Sequence, residues 1–493
     1  MGKIKITFVS DYITKPFDRY LKEYKINHLD ISQIETTLMG NIDSDILIVM
    51  PKNSYDVKML KNLIVNFRKT NKTKIVISNF WGSDIDISYS QNIEYFEKLL
   101  QANKYLDTFL EISDVNIINI FKLVQSYGIN TLFNQKNLYL FQTPWTKEGA
   151  KVIAKEIDEK IKLFYTKRKK VVVLDADNTL WGGIVGEDGV EGIKCDENYP
   201  GILYKNFQKN LKKLQQTGIV LTMVSKNNYD DVEEVFKKRD FPLKFDDFLI
   251  KKINWNPKSQ NIQDIANEIN VGIDSLLFID DNPFEIEEVK AIGVEGIRIS
   301  EENIATILDD VRLKTIAITQ EDKNKTNQYK SEFKRGEIFK KVKSIDEFIK
   351  SLNIKVEYWI NNLNQLKRVT QLINKTNQFN LTTKRYTESE VEEMMKKDKV
   401  FSFRVTDKFG DMGIVSVVIV KDKEIDTFLM SCRVLGRKIE NQIMDIVLKN
   451  TKLPLKAKYI KTKKNSQVEN LYEKLGFTLI SQNENQKEYI KEL

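Results

Sequence analysis

Val171-Val172-Val173-Leu174-Asp175-Ala176-Asp177-Asn178-Thr179 is the stretch that decides how this chain folds. An apolar strand runs straight into two aspartates, which places both carboxylates at the carboxyl end of a strand, where open α/β sheets bind ligands. Apolar runs recur at residues 219–224 and 276–279, separated by helix-length segments, so the pattern predicts a parallel sheet with helices on its faces. Upstream, short apolar runs at 4–9, 46–50, 74–78 and 138–141 alternate with helical periodicity and predict a second parallel α/β domain. Beyond residue 354 the strands lengthen and follow one another as a meander, at 401–406, 413–420 and 424–430, before a helix from Gly436 to about Asn450. That order predicts a more antiparallel α+β domain. The expected fold class is therefore α/β in three domains, 1–165, 166–300 and 351–493, with the charged, helix-patterned residues 301–350 as a connector.

Two aspartates at i and i+2 on one strand end can divide the labour of phosphoryl transfer. Asp175 attacks phosphorus to form an aspartyl phosphate, and Asp177 handles the leaving-group proton and then activates water. Ser225 ends the next apolar strand in Met223-Val224-Ser225-Lys226-Asn227, where its hydroxyl and the adjacent amides can hold phosphate oxygens. Lys258, in Asn256-Pro257-Lys258-Ser259, can neutralise both the attacking carboxylate and the transferring group. Phe278-Ile279-Asp280-Asp281-Asn282-Pro283 supplies paired carboxylates that suit a hard Mg²⁺ ion. Taken singly, each has an ordinary reading: a serine at a strand end is usually a turn or cap residue, and a lone lysine carries no signal. The fixed order Asp, Ser, Lys, Asp-Asp, each at or just past a strand end, is what makes them a set. The candidate roles are Asp175 and Asp177 as catalytic groups, and Thr179, Ser225, Lys226 and Lys258 as phosphate ligands. Asp175, the carbonyl of Asp177, Asp280 and Asp281 form the metal set.

This set resembles the haloacid dehalogenase superfamily. LDADNTLWGGIVGEDGVE at residues 174–191, with Ser225-Lys226-Asn227-Asn228, Ile253-Asn254-Trp255 and Asp280-Asp281-Asn282-Pro283, looks like its FkbH-like subgroup. Lys375-Thr376-Asn377-Gln378-Phe379-Asn380-Leu381-Thr382-Thr383, Asp407-Lys408-Phe409-Gly410-Asp411 and Ser431-Cys432-Arg433-Val434-Leu435-Gly436-Arg437 look like the same family, so the resemblance covers most of residues 170–480. It implies an enzyme that removes phosphate from 1,3-bisphosphoglycerate and loads a glyceryl unit onto the phosphopantetheine thiol of an acyl carrier protein, for polyketide-type biosynthesis.

The order of elements after residue 424 follows an N-acetyltransferase-like (GNAT-like) fold, which binds pantetheine-bearing cofactors. Arg433, Gly436 and Arg437 would offer charge and free amides at a helix N-terminus to a pantetheine phosphate. Asn465 and Tyr472 resemble positions that contact the cofactor and protonate the departing thiol. Cys432, beside Arg433 and near the predicted helix start, could be an acyl-accepting nucleophile of lowered pKa. A cysteine is also a common core residue, and Cys195 reads as an inert one.

Residues 1–165 resemble a degraded SGNH-type hydrolase. Ser10-Asp11 is present, but Thr143-Pro144-Trp145-Thr146-Lys147-Glu148-Gly149 has no histidine where the base would lie. His28, the chain's single histidine, stands too early, in a turn-like stretch, so a Ser-His-Asp triad is not expected and the domain reads as a docking or scaffold unit.

A net charge of +8, from 78 basic and 70 acidic residues, is spread too thinly to imply a nucleic-acid partner, and Lys167-Arg168-Lys169-Lys170 is too short a run to be a footprint. Two distant cysteines and one histidine support neither a disulfide framework nor a zinc site of the usual kind. Apolar runs fall far short of the roughly 18 residues a membrane span needs, and no signal-peptide pattern opens the chain, so the expectation is a cytoplasmic protein with no membrane partner. Two other readings stand beside glyceryl loading. One is a phosphatase of a small metabolite fused to an acyl-CoA-dependent N-acyltransferase; the other is a non-enzymatic carrier-binding scaffold, which leaves the aspartate set without a purpose.

Overall fold

The computed structural model describes residues 3–53, 55–82, 89–318, 329, 331, 335, 345–431 and 434–492. The chain divides into two compact units, Met1–Ser259 with Gly272–Lys323, and Gln260–Val271 with Asn324–Leu493. Among the described residues the first unit carries two parallel sheets and the second a mixed one. Much of the expected connector, 301–350, lies outside the described residues; its end forms the helix Ile345–Leu352. No helix among the described residues is long and apolar enough to cross a membrane.

The first sheet contains β1 (Lys5–Ser10), β2 (Lys25–His28), β3 (Ile46–Met50), β4 (Lys74–Ser78) and β5 (Val115–Ile118) in the order β2-β1-β3-β4-β5, every pair parallel. Alternate residues of its central strands feed opposite apolar layers, Ile46 and Ile48 on one face and Leu47 and Val49 on the other. Burial on both faces is why these strands read as unbroken apolar runs. Residues 138–141, expected as a strand, instead belong to the helix Gln135–Phe141, because the Asn134 side chain accepts from the Asn137 amide and caps its start. His28 lies at the end of β2 and not in a turn. Its Nδ1 is 2.8 Å from Thr14 Oγ1 and its Nε2 2.8 Å from Asp18 Oδ1. Ser10 is buried and donates its hydroxyl to the Met50 carbonyl at 3.0 Å, while Trp81, Phe133 and Trp145 pack together in the same domain.

The second sheet contains β6 (Val171–Leu174), β7 (Val220–Ser225), β8 (Phe248–Ile253), β9 (Leu276–Asp280) and β10 (Glu295–Arg298), ordered β10-β9-β6-β7-β8 and parallel throughout. β6 is the central strand and all four of its residues are buried. Asp175, Ser225 and Asp280 therefore emerge at the same edge from three adjacent strands. β8 and β10 escape a search for apolar runs because they are edge strands: one carries Lys251 and Lys252, the other Glu295 and Arg298.

The third sheet contains β11 (Lys355–Ile360), β12 (Lys399–Asp407), β13 (Gly410–Lys421), β14 (Glu424–Met430), β15 (Leu455–Ile460), β16 (Thr478–Gln482) and β17 (Gln486–Lys491), ordered β11-β12-β13-β14-β15-β17-β16. All its pairs are antiparallel except β14 with β15, which match only at Glu424↔Lys456 and Ile425↔Ala457. Beyond those two positions the strands part, and residues 379–381 fill the gap. Met430 N donates to Phe379 O at 2.9 Å, Leu381 N to Phe428 O at 3.0 Å, and Ile460 N to Leu381 O at 2.8 Å. The Asn465 side chain locks this insert: Nδ2 donates to Asn380 O and Ile460 O, both at 2.9 Å, and Oδ1 accepts from Thr462 N at 2.8 Å and Tyr459 OH at 3.2 Å. Asn465 is wholly buried. Replacing it with alanine strands several of these groups without partners, and Asn465→Ala is expected to lower stability by about 2–4 kcal/mol, read as an earlier urea midpoint for the second unit.

Candidate active site

The site forms where β6 ends. Asp175 N still pairs with Ile279 O at 3.1 Å, so the nucleophile candidate is held by sheet hydrogen bonding to β9. The chain then turns sharply at Asn178, whose φ of 51° lies in the left-handed region that asparagine tolerates better than most residues. Asn178 Oδ1 accepts from Gly183 N at 2.9 Å and closes the turn. Gly183 has φ 98°, and a Cβ there would meet Asp188 Oδ2 at 2.6 Å, so glycine is required.

Lys258 opens the helix Lys258–Glu268, and its Nζ lies between two strand-end carboxylates, 2.9 Å from Asp175 Oδ1 and 2.6 Å from Asp280 Oδ2. All three side chains are almost fully buried. Burial works to lower the Lys258 pKa, but the two carboxylates outweigh it and hold the ammonium charged. Asp280 is pushed up to about 7, by burial first and by Asp175 second, against the opposing pull of Lys258. Asp281 is raised as well, again by burial and then Asp175.

Asp175, Asp280 and Asp281 each offer an oxygen lying within 4.8 Å of the others. Asp175 Oδ1 is buried and, although ion-paired with Lys258 at 2.9 Å, accepts no hydrogen bond among the described residues. Three carboxylates facing one ammonium leave excess negative charge, and with that open acceptor the set fits a hard divalent cation. The Asp177 carboxylate stays outside this cluster. Its Oδ1 accepts from Trp181 Nε1 at 2.9 Å and Val185 N at 3.1 Å, and its Oδ2 from Asn227 Nδ2 at 2.8 Å. Burial raises its pKa while these three donors pull it down, and the net direction is upward.

Ser225 is buried at the end of β7 and accepts from Asn227 Nδ2 at 3.1 Å. Two expected phosphate ligands are placed otherwise. Lys226 Nζ is neutralised by Glu285 Oε1 at 2.6 Å, and Thr179 is completely enclosed, with a hydroxyl that makes no hydrogen bond among the described residues. Asn227, Trp181 and Glu285 were not assigned from the sequence. Asn227 stands within the quoted Ser225 motif, but its contact with Asp177 spans 50 positions.

In the second unit, Cys432 and Arg433 lie outside the described residues. Arg437 is not an exposed anion ligand: it is buried and donates Nη1 to Met412 Sδ at 2.9 Å. Gly436 has φ 76° and makes the turn before the helix, which begins at Ile439 and not at Gly436. Asn465 locks the inserted segment described above and has no amide group left for a cofactor. Tyr472 is buried against Phe477 and Tyr489, its hydroxyl has no hydrogen-bond partner among the described residues, and burial drives its pKa upward. Cys195 is buried in the first unit, which pushes its thiol up to about 12.

No family model and no curated protein matches this chain. Among solved structures, it is similar to the N-terminal part of the protein BF1531 from Bacteroides fragilis, described as containing a phosphatase domain complexed with Mg. The identity is 24% over 64% of this chain and 95% of that one, with a TM-score of 0.50, and it shows a shared fold. Two weaker likenesses are a HAD family enzyme from Bacteroides thetaiotaomicron in complex with magnesium and inorganic phosphate (13% identity, 27% and 95% covered, TM-score 0.20) and an N-acetyltransferase from Staphylococcus aureus Mu50 (11%, 28% and 97%, 0.22); neither bears on function.

A raised folded-state pKa means that the metal-free site costs stability as pH climbs from the ordinary carboxylate range toward about 7, and a bound cation offsets that cost. Below that pH a cation must displace the Asp280 proton. Mg²⁺ affinity measured by calorimetry is therefore expected to rise up to about tenfold per pH unit below about pH 7 and to level off above it. A flat profile would show that Asp280 is already ionised.

Proposed function

We propose that this chain is a Mg²⁺-dependent phosphoryl-transfer enzyme of the haloacid dehalogenase type that converts 1,3-bisphosphoglycerate into a glyceryl thioester on a phosphopantetheinylated acyl carrier protein. The observation that carries the phosphoryl-transfer half is the buried Lys258 ammonium between Asp175 and Asp280, with Asp281 completing the carboxylate cluster. Asp175, Asp280 and Asp281 would hold Mg²⁺, which when bound supplies charge neutralisation for the phosphate.

The substrate carries a phosphomonoester and an acyl phosphate, which call for different chemistry. At the monoester, Asp175 attacks phosphorus and the P–O bond to the alkoxide breaks. An alkoxide needs a proton to leave, and Asp177, its pKa raised by burial, is suited to give it. The resulting Asp177 carboxylate then takes a proton from the water that opens the aspartyl phosphate. Lys258 stays charged throughout and faces the equatorial oxygens. At the acyl phosphate a thiol displaces inorganic phosphate and a thioester forms directly. The FkbH-like motifs of residues 375–383, 407–411 and 431–437 support assigning that step to the second unit, with Cys432 as one candidate thiol and the carrier's own thiol as the other. Asn465 and Tyr472, which either acyl-transfer reading would set against a pantetheine arm, are enclosed, so they do not separate carrier loading from an acyl-CoA-dependent N-acyltransferase.

The test is intact-mass spectrometry of enzyme and carrier after incubation with Mg²⁺ and enzymatically generated 1,3-bisphosphoglycerate. A glyceryl mass on the carrier is expected with the native enzyme. Asp175→Asn should leave the product phosphorylated, slowing monoester cleavage by about 10³-fold or more. Cys432→Ser should abolish carrier loading if the acyl group passes through that thiol and leave it intact if it does not. Phosphate release with an unmodified carrier would overturn the glyceryl-loading half.

A further inference from the structure

Asn227 stands two residues beyond Ser225, is 7% exposed, and contacts two site residues with one nitrogen. Its Nδ2 lies 2.8 Å from Asp177 Oδ2 and 3.1 Å from Ser225 Oγ. Which end of the amide faces them is fixed by chemistry, because a carboxylate only accepts and so requires the NH₂ end. An amide NH₂ has two hydrogens in fixed directions, one for each of the two oxygens.

Ser225 Oγ is therefore an acceptor within the protein. Among the described residues no protein oxygen takes the hydroxyl's own proton, and Asn227 is the partner the side chain has. A serine hydroxyl otherwise turns freely among staggered positions and settles on the nearest acceptor. With one lone pair already engaged by Asn227, the O–H bond must point away from that amide. Ser225 ends β7 beside β6, at the same edge of the sheet as Asp175, so a phosphate bound at that edge is the acceptor this proton would meet.

We propose that Asn227 is the positioning residue of this centre. It aims the Ser225 hydroxyl as a donor to the phosphate oxygens and, through the same amide, keeps Asp177 in place for proton transfer. A donor aimed before the substrate arrives needs no reorganisation during the reaction, which is where preorganised sites gain most of their advantage. This inference rests on the phosphoryl-transfer reading of the site. It also accounts for the short spacing: residue 227 reaches both groups because β7 ends at Ser225 beside β6.

The experiment uses the full chain with Mg²⁺ and inorganic phosphate as the binding probe, measured by calorimetry, and p-nitrophenyl phosphate for turnover. Asn227→Leu, close to the native volume but without donors, is compared with Ser225→Ala and with the double variant. Asn227→Ala serves in its place if the leucine variant fails to fold, which a urea transition reports. Each single change is expected to weaken phosphate binding about tenfold, and the double variant no further, because both remove the same aimed donor. Asn227→Leu should in addition lower kcat more than Ser225→Ala does, since only it frees Asp177. Losses that multiply in the double variant, or unchanged phosphate affinity in both Asn227 variants, would overturn the proposal. A native enzyme that binds phosphate but releases none from the ester would count against the phosphoryl-transfer reading alone, with the binding series still deciding the role of Asn227. Absence of phosphate binding by the native protein would overturn both.

Discussion

The Lys258 ammonium is buried between the carboxylates of Asp175 and Asp280, and the rest of the site is arranged around the cost of keeping those charges out of water. Desolvating such ions costs several kcal/mol each, and their attraction offsets this only while the geometry is held tightly. The holding is done by two strand ends and one helix start: Asp175 on β6, Asp280 on β9, and Lys258 at the first residue of the helix after β8. Since β6 lies between β9 and β7, the neighbouring strand brings Ser225 to the same edge. Asp281 adds a negative charge that Lys258 alone does not balance, which is the electrostatic reason a cation suits the cluster.

Asp175 and Asp177 are the same residue type two positions apart, yet their surroundings give them separate tasks. Asp175 faces an ammonium and two other carboxylates, and among the described residues one of its oxygens accepts no hydrogen bond. Asp177 is turned toward nitrogen donors from Trp181, Val185 and Asn227 and lies apart from the carboxylate cluster. An acceptor left open suits a nucleophile or metal ligand; a carboxylate fixed in direction suits proton transfer. The left-handed turn at Asn178, closed by Gly183, carries the chain back so that Trp181 and Val185 reach Asp177.

In the second unit, strands that part after two paired positions leave backbone groups that must find partners elsewhere. Residues 379–381 supply them, and the buried Asn465 amide closes the remaining gaps. The KTNQFNLTT segment thus has a structural task whatever chemistry takes place nearby. Residues that look like cofactor contacts in a linear pattern are here part of the packing: Asn465 satisfies backbone groups, Tyr472 fills the core, and Arg437 lies buried beside Met412.

The sequence by itself determined the parts of this protein that depend on local pattern. Central strands buried on both faces are unbroken apolar runs, so β3, β4, β6, β7 and β9 were legible within a residue or so, and with them Asp175, Ser225 and Asp280 at or just past their ends, while Lys258 stood out only through its place in the ordered set. The short or charged strands β2, β5, β8 and β10 were not, and a capped helix at 135–141 carried an apolar run that imitated a strand. What only the tertiary structure decided is which polar groups meet. Lys258 and Asp280 are 22 positions apart, Lys226 and Glu285 59, and Asn227 and Asp177 50. Strand order sets those meetings, and burial then fixes whether a charge is free for a ligand, as at the Asp175 cluster, or already neutralised, as at Lys226. A local pattern shows that a residue type stands at a strand end; it does not encode the neighbour that the sheet brings beside it.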